Sequence, residues 1–247
     1  MYNLPVVEAT VDYLNDILPH SNWFIAGGAL VGKYFTDIDV FFYSEKDFKT
    51  AYDAFLNIFS FESYSSSKAV TFCIDIDSCD NEQLKILKED KYEFHKLQIQ
   101  LVKYYFGTTK EIIEKFDLNK SQIAITPNKE IIKSDIQDKP LHIVYNNTNT
   151  STFNRFKKYI NSKKIEGDYH QALYDYTHHV IECPYHKVTP SYEDDEEITA
   201  LEYLLDTINF YQRKQYNYCN FDKKHRLVKV FENIEDQLKP YFPELFI

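Results

Sequence analysis

Residues 24–42, FIAGGALVGKYFTDIDVFF, place a glycine turn between two apolar stretches. The whole chain of 247 residues has five glycines, and three of them, Gly27, Gly28 and Gly32, fall in this segment. Apolar runs bounded by glycines are typical of short buried strands joined by a tight turn. This segment therefore predicts a strand, a bend with bare backbone, a short helix or turn, and a second strand.

The second strand carries Asp37 and Asp39 on either side of Ile38. Successive side chains of a strand point to opposite faces, so the two carboxylates share one face and Ile38 faces the core. Two carboxylates so close repel each other unless a cation lies between them. Mg²⁺ is the oxygen-seeking ion that suits such a pair, with Mn²⁺ as the alternative. We therefore predict Asp37 and Asp39 as metal ligands.

The Gly27–Gly28 pair adds the features of a phosphate site. Glycines let phosphate oxygens approach backbone N–H groups, and the start of a following helix adds a positive end. Phosphates beside a metal ion held by two aspartates serve attack on phosphorus. The spacing from Gly27 to Lys33 also matches a Walker loop, but Tyr34 replaces the metal-binding Ser or Thr. A Rossmann G-x-G-x-x-G is absent.

The hydrophobic pattern changes near residue 146. Before it, helical spacing alternates with strand-like segments, which include KAVTFCIDI, KLQIQLVKYY, SQIAIT and LHIVYN. After the polar loop NNTNTST, the pattern is helical over roughly 151–164, 168–183, 195–212 and 223–240. The sequence predicts an α/β (α+β) domain with a mixed sheet over residues 1–146, followed by a small all-helical domain over residues 147–247.

Composition limits the partners and the compartment. The net charge is −10, whereas proteins that bind nucleic acid mainly through its phosphates are usually basic, so we expect any such contact to be local. The four cysteines form no close pair, which fits reduced thiols in a cytoplasm. No signal peptide and no stretch of 18 uninterrupted apolar residues is evident, so we expect no membrane partner.

Three segments resemble the DNA polymerase beta-type nucleotidyltransferase superfamily. The stretch IAGGAL…TDIDVFF is similar to its signature, a glycine turn followed by two aspartates that alternate with apolar residues on the next strand. FDLNKSQIAI, 116–125, resembles a motif in the head domain of CCA-adding and poly(A) polymerase-like enzymes, and 152–167 resembles the helix after that domain. Compact nucleotidyltransferase-like proteins of phages and large viruses look similar as well.

The resemblance, which spans residues 22–167, implies site residues and a cofactor. Asp37 and Asp39 would be catalytic and hold Mg²⁺. The residues implied to contact the triphosphate, ATP or another NTP, are Gly27, Gly28, Lys33, Arg155 and Lys158. Arg155 and Lys158 are three residues apart on a predicted helix and so share a face.

A third carboxylate, usual in the superfamily, is not in the expected place. The strand KLQIQLV presents Gln98 and Gln100 on its polar face. Asp117, in FDLN, is the favoured candidate, and Asp75 and Asp77 are the alternatives. Without a third acid, we expect weak catalysis or nucleotide binding without turnover.

Two other clusters leave alternatives open. A zinc site could be built from a histidine-rich stretch that contains His170, His178, His179, Cys183 and His186, although its spacing matches no closed zinc pattern. Residues 213–226, RKQYNYCNFDKKHR, interleave basic and aromatic residues, which suits an RNA strand or a tRNA end. Solvated helix faces and loops are the plain alternatives for both.

The sequence therefore predicts an Mg²⁺-dependent nucleotidyltransferase of the cytoplasm, or of the host cytoplasm for a phage or viral protein. It would move a nucleoside monophosphate from an NTP to an acceptor hydroxyl and release pyrophosphate. By analogy, an RNA or tRNA 3′ end is the first choice of acceptor. The alternatives are a toxin-like enzyme that modifies a protein or small molecule, a degenerate nucleotide-binding module, and a zinc-dependent regulator.

Overall fold

The computed structural model describes residues 4–18, 22–32, 37–59, 63–76, 81–88, 96–162, 165–188, 198–206, 236 and 238–243. The chain divides into two compact units. The first unit is Met1–Phe116 with Lys120–Asp138, and the second is Asp117–Asn119 with Lys139–Ile247. The predicted domain division at residue 146 stays a prediction.

A seven-stranded sheet forms the first unit. In chain order its strands are β1 Trp23–Ala26, β2 Asp37–Phe42, β3 Tyr64–Ser65, β4 Ala69–Asp75, β5 Lys96–Phe106, β6 Ile123–Ile125 and β7 Ile131–Lys133. Their order across the sheet is β3-β4-β5-β2-β1-β6-β7, with β2 and β5 parallel and the other neighbours antiparallel. The predicted mixed sheet of an α/β fold is confirmed.

Helices cover the two faces of this sheet unequally. The α-helices are α1 Leu4–Ile17, α2 Gly28–Val31, α3 Glu45–Phe59 and α4 Thr109–Ile113, and a 3₁₀ helix spans Glu82–Lys88. Helices α1 and α3 pack on one face in a large core that includes Leu14, Ile38 and Phe55. On the other face, α4 packs against a small cluster that includes Phe24 and Phe41. The part of that second face beyond this cluster carries the polar side chains of the candidate site.

The second unit is built mainly from helices. Its elements are the 3₁₀ helix Tyr145–Asn147, α5 Thr152–Ser162, α6 Tyr169–Glu182, the strands β8 Lys187–Val188 and β9 Ile198–Thr199, and helical backbone over 200–206. Phe153 of α5 packs edge-on against Tyr176 of α6, with ring centroids 5.4 Å apart, and also contacts the ring of Tyr203. The short β8–β9 hairpin takes up part of the range that the pattern assigned to the third helix.

One predicted strand, LHIVYN, does not form, and that prediction was wrong. Ile143 makes a single bridge to Leu118, and the chain then enters a 3₁₀ turn. Beside the bridge, the Asn119 N–H donates to the His142 carbonyl and the Val144 N–H donates to the Asp117 carbonyl, whereas the His142 N–H bonds to the Asn119 side chain at 2.9 Å. The Asn119 side chain thus takes one backbone N–H of this segment, and the pairing does not extend beyond the single bridge.

Strand β7 and the short β3 were not predicted. The predicted helix at 223–240 and the end of the one at 195–212 lie largely outside the described residues. Among the residues that the structure describes, no helix has both the length and the apolar character needed to cross a membrane.

Candidate active site

Asp37 and Asp39 lie on the same face of β2. Ile38 between them is fully buried in the core under α1 and α3, whereas both aspartates are half-buried on the opposite face. The strand alternation predicted from the sequence is therefore present, and the two carboxylates project from one side of the sheet.

Neighbouring strands extend this polar face away from the aspartates. In the sheet register, Asp37 pairs with Gln98 and Asp39 pairs with Gln100. The Gln100 amide donates to the Asp37 Oδ2 across a long distance of 3.4 Å. Gln98 and Gln100 thus lie beside the aspartates on β5, the strand on which the sequence resemblance implied a third acid. The sequence predicted both glutamines on a polar strand face, and the resemblance implied that this strand lies next to the aspartates; the structure adds the parallel register of β5 with β2.

The glycine bend begins at the end of β1, directly beside β2. Trp23, Phe24 and Ile25 pair with Phe42, Phe41 and Val40, so the same antiparallel register brings the end of β1 to Asp39. Gly27 has φ 86° and ψ −137°, which is a conformation that side chains with a Cβ rarely adopt. Its N–H donates to the Ile123 carbonyl at 3.1 Å. The structure therefore requires glycine at position 27 for backbone reasons alone.

Substitutions at the two glycines are expected to separate folding from binding. Gly27→Ala should destabilise the protein by roughly 1–3 kcal/mol, because alanine at that φ is strained. Gly28, the first residue of α2, has no positive φ, so Gly28→Ala should keep the stability within about 1 kcal/mol. If phosphates approach this backbone, Gly28→Ala should still weaken NTP binding. Urea unfolding and NTP titration measure the two effects, and an unchanged NTP affinity in Gly28→Ala would contradict phosphate binding there.

Asp117 and Arg155 are brought together in the second unit. The Asp117 side chain is 6% exposed, and its Oδ2 accepts from Arg155 Nη2 at 2.5 Å and from Arg155 Nε at 3.1 Å. Thr152 Oγ1 donates to the same oxygen at 2.6 Å. Burial by itself lowers the pKa of Arg155, but the Asp117 carboxylate outweighs this effect and raises it. The predicted third acid and the predicted triphosphate ligand are thus partners of one another.

The other predicted site residues are placed as follows. Lys158 is exposed on α5. Asp75 ends β4, opposite Lys96, and β4 is separated from β2 by β5. Two strand spacings are about 10 Å, which is too far for Asp75 to share one ion with Asp37. Lys33, Asp77 and the basic segment 213–226 lie outside the described residues.

The donor set at Asp37 and Asp39 fits a magnesium ion. Mg²⁺ in phosphate chemistry is held through one or two carboxylates, with substrate phosphates and waters as its other ligands. Two carboxylates on one strand face, beside a glycine bend, meet that requirement. No group of three or more His, Cys, Asp or Glu side chains suited to a metal gathers within the described part of the chain. With the described residues alone, an ion here would take its further ligands from nucleotide phosphates and waters.

The histidine-rich stretch forms ring contacts in the second unit. The Tyr145 ring lies 4.8 Å from the His186 ring and 5.6 Å from the His179 ring, and its hydroxyl donates to the Cys183 carbonyl. Burial, with a contribution from Cys183, raises the pKa of Tyr145 to about 12. His178 packs on Tyr174. The rings of His178, His179 and His186 thus pack on aromatic rings, and the described members of this stretch do not converge as a zinc-binding set.

No protein-family model and no curated protein matches the chain. Solved structures that are similar to it include the Thermotoga maritima CCA-adding enzyme complexed with tRNA, at 14% identity and a TM-score of 0.43, over 95% of this chain and 52% of that one. A tRNA-processing enzyme is similar in apo form I at 13% identity and a TM-score of 0.37, over 98% of this chain and 57% of that one. A structure of a tRNA-processing enzyme in apo form 2 is similar at 14% identity and a TM-score of 0.35, over 94% of this chain and 58% of that one. The chain thus spans little more than half the length of these proteins.

Proposed function

We propose that the chain is an Mg²⁺-dependent nucleotidyltransferase of the DNA polymerase beta type. In this reaction an acceptor hydroxyl attacks the α-phosphorus of an NTP, the bond from that phosphorus to the bridging oxygen breaks, and pyrophosphate leaves. The observation that carries the proposal is the position of Gly27. The bend leaves β1 beside Asp39, so a bare backbone and a pair of carboxylates meet at one edge of the sheet face.

Each residue has a separate task in this proposal. Asp37 and Asp39 would hold the ion, which when bound offsets the negative charge of the triphosphate. The Gly27–Gly28 backbone would bind the outer phosphates and so orient the α-phosphorus for in-line attack. Gln100, whose amide reaches Asp37, would fix the orientation of that carboxylate. Arg155 is proposed only as an indirect contributor, because its guanidinium is already paired with Asp117.

The acceptor is proposed to be an RNA or tRNA 3′ hydroxyl. Support comes from the resemblance of 116–125 and 152–167 to CCA-adding and poly(A) polymerase-like enzymes. The net charge of −10 favours a protein or small-molecule acceptor instead. The absence of a third carboxylate among the described residues favours a module that binds nucleotide without turnover. These are the two rival functions.

A transfer assay distinguishes the three. The protein is incubated with Mg²⁺ and each NTP labelled at the α-phosphate, together with either total RNA or cell protein. Label in RNA supports the proposal, and label in protein supports the toxin-like rival. Saturable NTP binding without label transfer supports the degenerate module. A parallel reaction with label at the γ-phosphate serves as the control, because nucleotidyl transfer leaves that phosphate in pyrophosphate whereas a kinase would transfer it.

A further inference from the structure

An aromatic ring, that of Phe116, borders the glycine bend. A Cβ built on Gly27 would meet Phe116 Cε2 at 3.5 Å, which is an ordinary van der Waals contact. The gap between the bend and the ring therefore has little more than the width of a methyl group. The same ring lies with its centroid 5.7 Å from that of the Phe41 ring. Phe116 thus contacts both the bend that follows β1 and the side of β2.

The contact with Phe41 places the Phe116 ring on the face of the sheet that carries the aspartates. Phe41 follows Asp39 by two residues on β2, so the two side chains project from the same face. Phe41 belongs to the small cluster under α4, whereas Ile38 belongs to the large core on the opposite face. The half-buried Phe116 packs against that small cluster. Its ring therefore lies where the apolar cluster ends and the polar candidate site begins.

Strand β6 anchors both the bend and the backbone of Phe116. The Gly27 N–H donates to the Ile123 carbonyl at 3.1 Å. The side-chain amide of Gln122, a residue only 1% exposed, donates to the Phe116 carbonyl at 2.8 Å. Gln122 and Ile123 are consecutive residues. The two sides of the contact between Gly27 and Phe116 are thus attached to adjacent points of one strand, which fixes their spacing.

Further hydrogen bonds hold the end of α4, which carries Phe116. The Gln122 amide also donates to the Glu114 carbonyl at 3.3 Å, and the Phe116 N–H donates to the Ile113 carbonyl at 3.1 Å. Carbonyls at a helix end need such partners because the helix itself supplies none. The N–H and the carbonyl of Phe116 are therefore both bonded, so the ring stands on a fixed backbone.

We infer that Phe116 is a positioning residue for the triphosphate. Its ring closes one side of the glycine bend and keeps the bend in one shape, so that the backbone N–H groups are already oriented when the outer phosphates arrive. A binding site that is ordered in advance loses less entropy when it takes up its ligand. This role rests on the proposed function, whereas the restraint of the bend by the ring does not.

The binding test compares Phe116→Leu with the parent protein by calorimetric titration. Leucine keeps an apolar side chain against the cluster but lacks the outer ring atom that borders Gly27. The probes are ATP and inorganic tripolyphosphate, each with Mg²⁺, because tripolyphosphate presents phosphates without a base. Phe116→Leu should bind both about tenfold more weakly, as expected for a site that must order on binding. Phe116→Tyr, which keeps the ring, should bind both within a factor of about three of the parent.

Ile132→Ala is the matched control. Ile132 is a partly buried residue of β7 that packs against the same small cluster. Its loss should leave both affinities unchanged. Because Phe116 acts through the bend, Phe116→Leu and Gly28→Ala should weaken binding by less in combination than the product of their separate effects. Ile132→Ala combined with Gly28→Ala should give the plain product.

Hydrogen exchange without any nucleotide tests the restraint of the bend. The informative amides are those of Gly27, which donates to the Ile123 carbonyl, and Leu30, which donates to the Gly27 carbonyl. Both should exchange about tenfold faster in Phe116→Leu, because local opening of the bend becomes easier, and at the parent rate in Phe116→Tyr and Ile132→Ala.

The outcomes separate this inference from the proposed function. Parent-like affinities in Phe116→Leu, or an equal loss of affinity in Ile132→Ala, would overturn the inference and leave the proposed function standing. Unchanged exchange at Gly27 and Leu30 in Phe116→Leu would also overturn it. If the parent protein binds neither ATP nor tripolyphosphate, the proposed function fails and the role of Phe116 toward phosphates fails with it. Faster exchange in Phe116→Leu would then still establish that the ring restrains the bend.

Discussion

Asp37→Asn and Asp39→Asn are each expected to lower nucleotidyl transfer by about 10³-fold or more. The amide keeps the size of the side chain but removes the charge that holds the metal ion. An ion of this kind contributes several kcal/mol to the transition state, and about 4 kcal/mol corresponds to that factor in rate. Because the two side chains leave the buried face of β2 untouched, the thermal midpoint should stay close to that of the parent protein. The rate of transfer from α-labelled NTP, measured over a range of Mg²⁺ concentrations, gives the result.

Asp53→Asn is the control for this experiment. Asp53 is an exposed acid on α3, the helix that packs on the opposite face of the sheet, so its loss lowers the net negative charge equally without touching the site. It should leave the rate unchanged. Transfer that persists in both Asp37→Asn and Asp39→Asn would remove these residues from the chemistry. A rate that falls equally in Asp53→Asn would indicate a general effect of charge.

The paired aspartates were predictable from sequence because their geometry is local. Alternation along a strand fixes the direction of residues 37 and 39 as soon as the strand is recognised, and Ile38 between them confirms which face is buried. The glycine at position 27 was recognisable for the same reason: a strand end followed by two glycines marks a bend with unusual dihedral angles.

Features that depend on distant partners could not be predicted in this way. Asp117 and Arg155 are 38 residues apart, and nothing in their local patterns indicates that each is the other's partner. The predicted LHIVYN strand stops at a single bridge to Leu118, and its His142 N–H bonds to the side chain of Asn119, 23 residues earlier. The sequence pattern places Tyr104 and Tyr105 at the end of an alternating strand. The bulge in which they lie is seen only from the register shift of β5 against β2.

The partners of these residues decide how many carboxylates the candidate site offers for catalysis. The β5 residues that pair with Asp37 and Asp39 are the amides Gln98 and Gln100, and Asp117, the acid favoured from the sequence, is paired with the Arg155 guanidinium. Two carboxylates can hold one ion with the help of nucleotide phosphates, and the described residues place no third carboxylate beside them to act as the base that takes the proton of the attacking hydroxyl. We therefore expect transfer to be slow and to rise with pH, as hydroxide increasingly replaces the missing base.

Arg155→Ala is expected to destabilise the second unit by roughly 2–3 kcal/mol. The substitution removes the guanidinium from the buried Asp117 carboxylate, which keeps the hydrogen bond from the Thr152 hydroxyl. Breaking a fully buried pair costs about 3–5 kcal/mol, and the 40% exposure of Arg155 reduces this because water already screens the pair. Asp117→Ala should cost less, roughly 1–2 kcal/mol, since a guanidinium at that exposure can turn towards water. The single tryptophan, Trp23, lies in the first unit, so hydrogen exchange of the α5 amides is the appropriate measurement.

Lys49→Ala is the matched control for Arg155→Ala. The Lys49–Glu45 ion pair has nearly the same separation, 2.6 Å against 2.5 Å, but its side chains are 66% and 65% exposed. Exposed pairs of this kind contribute about 0–1 kcal/mol, so exchange should change little. If Arg155→Ala instead leaves α5 exchange unchanged and weakens NTP binding tenfold or more, the guanidinium acts on the triphosphate, as the sequence resemblance implied. Faster hydrogen exchange of the α5 amides in Arg155→Ala, measured without nucleotide, would establish that the Asp117–Arg155 pair stabilises the second unit.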